Sequence, residues 1–140
     1  MTAPLHAGCM ALAGRGVLLI GPSGCGKSDL ALRLADRGWA LVADDYVTLI
    51  ADGGRLLASP PATIAGRMEV RGVGLVDLPF ETGVPVCLAI LLGRQPERMP
   101  EPGAWLHEGV SIPALPLLAF EPSAPLKIEH MLRLYGLALE

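Results

Sequence analysis

Gly21-Pro22-Ser23-Gly24-Cys25-Gly26-Lys27-Ser28 meets every fixed position of the pattern G-x-x-x-x-G-K-[S/T]. The pattern has a physical origin. Backbone N–H groups can turn inward around an anion only where glycines remove the Cβ clash. The helix that follows adds its own unpaired N–H groups and the positive end of its dipole. Lys27 brings a point charge to the β and γ phosphates, and Ser28 brings a hydroxyl of the kind that a magnesium ion takes as ligand. The stretch Gly21–Ser28 is therefore expected to cradle the phosphates of a nucleotide, ATP with Mg2+. With glycine at roughly 7% of average composition, a chance match in one short chain is rare.

The flanks agree with that reading. Val17–Ile20 is a continuous apolar run of buried-strand length, and Lys27–Asp36 carries Leu30, Leu32, Leu34 and Ala35 in a helix-like pattern. Gly38 stands where a glycine closes a helix, and Trp39–Ala43 reads as the next strand, ending at Asp44-Asp45. Upstream, Ala11–Ala13 reads as a short strand that stops at Gly14. Downstream, Val47–Ile50 and Leu56–Ala58 flank the hairpin-type turn Asp52-Gly53-Gly54. Met68–Val70 and Val73–Val76 are short strands around Arg71-Gly72, and Val86–Leu92 is a strong one. Gln95–Gly103 reads as a proline-rich loop, Pro113–Pro125 as an extended proline-punctuated stretch, and Lys127–Leu139 as a closing helix. Strand–helix–strand followed by hairpins predicts an α/β fold with a mixed sheet, in one domain covering 1–140.

Composition narrows the class. The chain has 140 residues, 51% apolar and 18% charged, enough for one core and too apolar for disorder. Aromatics at 4% imply a core of aliphatic side chains. A formal net charge of −3 without clustered Lys and Arg argues against a nucleic-acid partner. No apolar run approaches the ~20 residues that span a bilayer, and Met1–Ile20 lacks the basic start of a signal peptide. Cys9, Cys25 and Cys87 form no metal or redox spacing, so they read as free thiols in a reducing compartment, the cytoplasm.

Phosphate loops serve ATPases, GTPases and kinases alike, so the acceptor side must decide. Asp44 and Asp45 follow the strand after the loop's helix, at the sheet edge where ligands bind in open α/β folds. Asp45 is expected as the base that takes a proton from an attacking hydroxyl, and Asp44 as a metal or water ligand. On a regular strand two neighbours face opposite ways, so a shared site requires that the strand has ended. Asp77, after Val73–Val76, could mimic a magnesium-binding aspartate, and Glu69 could be a second magnesium ligand. Arg71 and Arg98 both lie in loop-like contexts where an arginine could steady a transferred phosphate.

Taken together, these residues resemble the catalytic half of the bacterial HPr kinase/phosphorylase family. The resemblance runs through His6, Gly14-Arg15-Gly16-Val17-Leu18-Leu19 and the phosphate loop. It continues through Arg37-Gly38-Trp39-Ala40-Leu41-Val42-Ala43-Asp44-Asp45 and then Met68-Glu69-Val70-Arg71-Gly72-Val73-Gly74. It is firm over Leu5–Asp77 and weak beyond. It implies a protein kinase that phosphorylates a serine of the phosphocarrier HPr, with Asp45 as proton shuttle, His6 as its active-site histidine, and Ser28 and Glu69 as magnesium ligands. Arg98, in Glu97-Arg98-Met99, is similar to a segment holding the family's active-site arginine. The resemblance also implies a hexamer, phosphorolysis as the reverse reaction, and a short form starting at the catalytic half. Two departures stand out: Ala7 replaces a glycine after the histidine, and Phe120–Lys127 occupies the place of a proline- and arginine-containing segment associated with dephosphorylation. The residues read alone leave two alternatives open, a small-molecule kinase and a non-catalytic nucleotide-binding regulator.

Overall fold

The apolar run Val17–Ile20 is the inner part of a strand, β3 (Arg15–Ile20), in a computed structural model that describes residues 4–61 and 65–139. Two strands precede it, β1 (Leu5–His6) and β2 (Gly8–Leu12). The β2–β3 hairpin turns on Ala13 and Gly14, both left-handed at φ 53° and 78°, which suits the right-handed twist of paired strands. Helix α1 (Lys27–Asp36) has the expected bounds and buries Leu30, Ala31 and Leu34. Gly38, at φ 95°, closes it with its N–H on the Ala35 carbonyl. Strand β4 (Ala40–Ala43) follows, then β5 (Tyr46–Asp52) and β6 (Arg55–Ser59), joined through Gly53-Gly54 as expected.

Strands β7 (Arg67–Val70) and β8 (Gly74–Asp77) form a separate two-stranded ribbon around Arg71-Gly72. Strand β9 (Val84–Leu92) is the hub of the main sheet. Its start pairs antiparallel with β6 at Val84 and Pro85, and residues Val86–Leu91 run parallel to β3. Its last four residues, Ala89–Leu92, run parallel to β11 (Val110–Leu117), which itself hairpins with β10 (Gly103–His107). The remaining order is β1-β5-β6-β9-β3-β2-β4, a mixed α/β sheet. Helix α2 (Ala124–Tyr135) packs beside α1.

Both faces of the central strands are covered, which explains why they read as unbroken apolar runs. Val17, Leu19, Leu88 and Ile90 enter the core beneath the helices, while Leu18 and Ala89 enter a second core on the opposite face with Val47, Leu56 and Ile112. Each fully buried leucine there contributes on the order of 1.5–3 kcal/mol.

The C-terminal third departs from expectation. Pro113–Pro125 is not one extended stretch: Val110–Leu117 is a strand, and its partner β10 carried no strand signal. Both prolines of β11 lie where it has a single neighbour. Pro113 pairs only with β10, beyond the last β9 partner, and Pro116 only with β9, beyond the last β10 partner. Proline is tolerated at such positions because no ladder bond is lost on the open edge. The closing helix begins three residues earlier than Lys127, with Pro125 in its first turn, and stops at Gly136.

Candidate functional site

The chain leaves β3 at Ile20 directly into the glycine loop, and the next regular residue is Lys27 at the start of α1. Gly24 and Gly26 take φ 83° and 95°, left-handed values that reverse the backbone and aim it at the helix end. Gly26 is the N-cap, and no side chain bonds to the first turn there. The helix N-terminus is thus presented uncapped, the condition for an anion site. Gly21 has no room for a side chain, since a Cβ would sit 2.6 Å from Cys25 Sγ and 3.1 Å from the Leu92 carbonyl oxygen. Lys27 is 8% exposed, and its Nζ donates to the carbonyls of Gly21 at 2.6 Å and Pro22 at 3.1 Å. The ammonium therefore already lies across the loop.

The acidic pair completes the other wall. Asp45 has φ 70°, so the strand has ended after Ala43 and the two carboxylates are free to share a site. Asp44 Oδ1 accepts the Ser28 hydroxyl at 2.9 Å, and Oδ2 accepts the Glu69 backbone N–H at 3.2 Å. That second bond ties the β7–β8 ribbon to the loop. The β1–β5 pairing sets His6 opposite Tyr46, one residue from Asp45, and His6 Nε2 lies 2.9 Å from Asp45 Oδ1. The His6 ring also packs on Tyr46 with centroids 5.2 Å apart.

Burial pushes the Asp44 carboxyl above the usual aspartate range, and the Asp45 and Glu69 carboxylates push the same way. The Ser28 hydroxyl and the Glu69 amide oppose the shift. Asp44 is thus a partly desolvated acid facing two more acids, an electrostatic arrangement that a cation would relieve. Ser28, Asp44 and Glu69 offer hard oxygen donors in one place, which fits magnesium. The described residues include no cluster of three or more His, Cys, Asp or Glu arranged around a metal. A magnesium ion bound by one or two carboxylates, water and phosphate does not need one.

Ser23, Gly24, Gly26, Lys27, Ser28, Asp44, Asp45, Glu69, Arg71 and Phe120 are among the residues lining one cleft of about 580 Å³. The sequence candidates Lys27, Ser28, Asp44, Asp45 and Glu69 are therefore brought together, and His6 joins them through its bond to Asp45. Gly21, Pro22 and Cys25 belong to the loop but are not among the residues lining this cleft. Arg98 is not brought in: it sits between Glu97 and Met99, which line a different groove against β9 and β11, and Arg71 lines the cleft instead. Asp77 is likewise not brought in. Its carboxylate pairs with Arg67 at 3.5 Å on an exposed ribbon edge and lines no part of the cleft. Phe120 was missed in the sequence, because no motif spacing marks the turn after β11. Cys9 and Cys87 are buried free thiols, Cys9 pushed up to about 12 by burial, and Cys25 is a half-buried one.

The HPr Serine kinase C-terminal domain model matches residues 1–87. A curated HPr kinase/phosphorylase of Clostridium tetani is 43% identical over 86 residues, 61% of this chain and 28% of its own length. That of Chlorobium phaeobacteroides is 44% identical over 80 residues, 56% of this chain and 24% of its own length. The aligned part thus spans about a quarter of these relatives. The solved HPr(Ser) kinase/phosphatase of Coxiella burnetii superimposes with a TM-score of 0.81 at 30% identity, over 94% of this chain and 95% of that one. With the phosphate loop, the His6–Asp45 pair and the Asp44–Glu69 link in one cleft, and a family model covering more than half of its residues, the chain belongs to the HPr serine kinase C-terminal domain family.

Proposed function

We propose that this chain is an ATP-dependent protein-serine kinase whose acceptor is the phosphocarrier protein HPr, working with Mg2+ in the cytoplasm as a homo-oligomer. One observation carries the reading: a carboxylate oriented by a histidine, Asp45 with His6 at 2.9 Å, faces the same cleft as the uncapped helix and Lys27. Phosphoryl transfer asks a protein for positioning and charge control more than for covalent chemistry, and this cleft offers both.

In the proposed reaction the Asp45 carboxylate accepts the proton of the incoming serine hydroxyl. The serine oxygen forms a bond to the γ phosphorus of ATP, and the bond to the bridging β–γ oxygen breaks, releasing ADP. His6 Nε2 holds the Asp45 carboxylate in place. Lys27 and the amides of the loop and first helical turn hold the phosphate oxygens. A bound Mg2+ neutralises polyphosphate charge, and Ser28, Asp44 and Glu69 are the residues that would hold it. Arg71 lines the cleft whereas Arg98 does not, which favours Arg71 as the cation for the transferred group. A general base of this kind is worth roughly 10²–10⁴ in rate.

The test is incubation with ATP, magnesium and HPr, followed by mass spectrometry of the HPr serine. A phosphoserine is expected. ATP binding without transfer to any HPr of the same organism would refute the reading. Adding inorganic phosphate to the phosphorylated product tests phosphorolysis, the named second activity of the relatives, through release of pyrophosphate.

A further inference from the structure

Among the described residues, Phe120 is the one aromatic side chain that lines the cleft. The side chain is 69% exposed, in the turn between β11 and α2. The ring edge lies against the last glycine of the phosphate loop. A Cβ on Gly26 would sit 3.0 Å from Phe120 Cε1 and 3.1 Å from Cζ. Gly26 is thus glycine for two reasons, its φ of 95° and the ring against it.

The turn is also fixed to the helix that carries the loop. Arg33 of α1 donates to the carbonyl of Glu121 at 3.1 Å and to that of Ala119, the residues on either side of Phe120. A third bond, to Asp29 Oδ2 at 3.1 Å, fixes the guanidinium itself. One arginine therefore clamps the backbone on both sides of an exposed ring. Asp29 and Leu32, from the same helix, line the cleft beside it.

We infer that Phe120 is the stacking platform for the nucleobase of the bound nucleoside triphosphate. The inference rests on the nucleotide-binding reading above and adds to it where the base sits. Three carboxylates, Asp44, Asp45 and Glu69, surround the acceptor side, a poor place for a purine ring. The exposed ring beside Gly26 gives a base an apolar partner without demanding hydrogen bonds, and every base has a π-face to stack. Arg33 acts as a positioning residue, holding the ring in place before the ligand arrives.

The experiment is calorimetric titration of ATP and of inorganic tripolyphosphate, which lacks a base, into the unmodified chain, Phe120→Ala and Phe120→Tyr. Phe120→Ala is expected to weaken ATP binding by roughly tenfold or more, from the worth of a base–aromatic stack, and to leave tripolyphosphate unchanged. Phe120→Tyr is expected to keep both. Unchanged tripolyphosphate binding doubles as proof that the variant folds. Equal loss of both ligands in Phe120→Ala, or no loss of either, would overturn the stacking role while leaving the phosphate loop standing. Failure of both ligands on the unmodified chain would overturn the phosphate-loop reading and the stacking role with it.

Discussion

Replacing Asp45 by asparagine separates chemistry from architecture more cleanly here than any other change. The residue sits at φ 70°, where a non-glycine residue costs roughly 1–2 kcal/mol, and Asn and Asp are the side chains that tolerate it best. Asparagine keeps that tolerance, the same shape and an oxygen that His6 Nε2 can still meet at 2.9 Å. The side chain is 58% exposed, so the exchange should alter stability by no more than about 0.5 kcal/mol. What it removes is the ability to take a proton. A general base contributes roughly 10²–10⁴ in rate, or about 2.7–5.4 kcal/mol of barrier. The assay is single-turnover phosphate transfer to HPr beside thermal denaturation and ATP titration on the same preparation. The expected result is an unchanged melting temperature, unchanged ATP affinity and a rate lower by at least a hundredfold. A variant that keeps more than a tenth of the wild-type rate would refute Asp45 as the base, and the proposed mechanism with it.

Three further outcomes follow from the geometry. Gly26→Ala meets both a left-handed φ of 95° and the Phe120 ring at 3.0 Å, so it should destabilise the fold by more than about 1 kcal/mol and weaken nucleotide binding, read by urea denaturation and calorimetry. Burial raises the folded-state pKa of Asp44, so its contribution to stability is fully present below the ordinary aspartate range and is lost as pH rises through the raised value. Melting curves from pH 3 to pH 7 should therefore show the unmodified chain losing ground to Asp44→Asn as pH climbs, with magnesium opposing the loss; a flat difference would sink the assignment. Glu129 accepts from Arg37 at 2.6 and 2.8 Å and from Trp39 Nε1 at 3.0 Å, tying β4's entry to α2. Glu129→Ala leaves the indole of a residue only 2% exposed without its acceptor and should cost roughly 1–3 kcal/mol by chemical denaturation, with phosphate transfer retained.

The parts of this fold that could be read from sequence are those where one local rule decides the outcome. Gly21–Ser28 and α1 are set by glycine torsions and a helix start, and Gly53-Gly54 by a two-residue hairpin turn that needs positive φ twice. The strand β10 was hidden because Gly103–His107 has no apolar alternation and depends on pairing with β11, whose own signal Pro113 and Pro116 obscured. At the site, Asp44 and Asp45 were visible as a pair. Their convergence on one cleft depends on the left-handed turn at Asp45, a torsion no spacing rule announces. On their residues alone Asp77 and Glu69 were both open as magnesium ligands, Asp77 after an apolar run and Glu69 within one. The hairpin register separates them, placing Glu69 beside Asp44 and Asp77 opposite Arg67. Phe120 is remote in sequence from Gly26, against which its ring lies, so only the fold reveals it.

On the proposed reading, Lys27 would meet a phosphate with its ammonium already in position. Two of the three protons on its ammonium are engaged by the Gly21 and Pro22 carbonyls, and one remains for an incoming oxygen. A free lysine side chain carries about 2 kcal/mol of rotamer entropy, most of which the folded chain has surrendered before any anion approaches. Polyphosphate capture of the kind proposed would thus resemble a plug entering a wired socket rather than a hand closing on an object. Arginine carries its donors in a fixed planar fork rather than on one compact ammonium, so even a charge-preserving exchange at this position would rewire the socket.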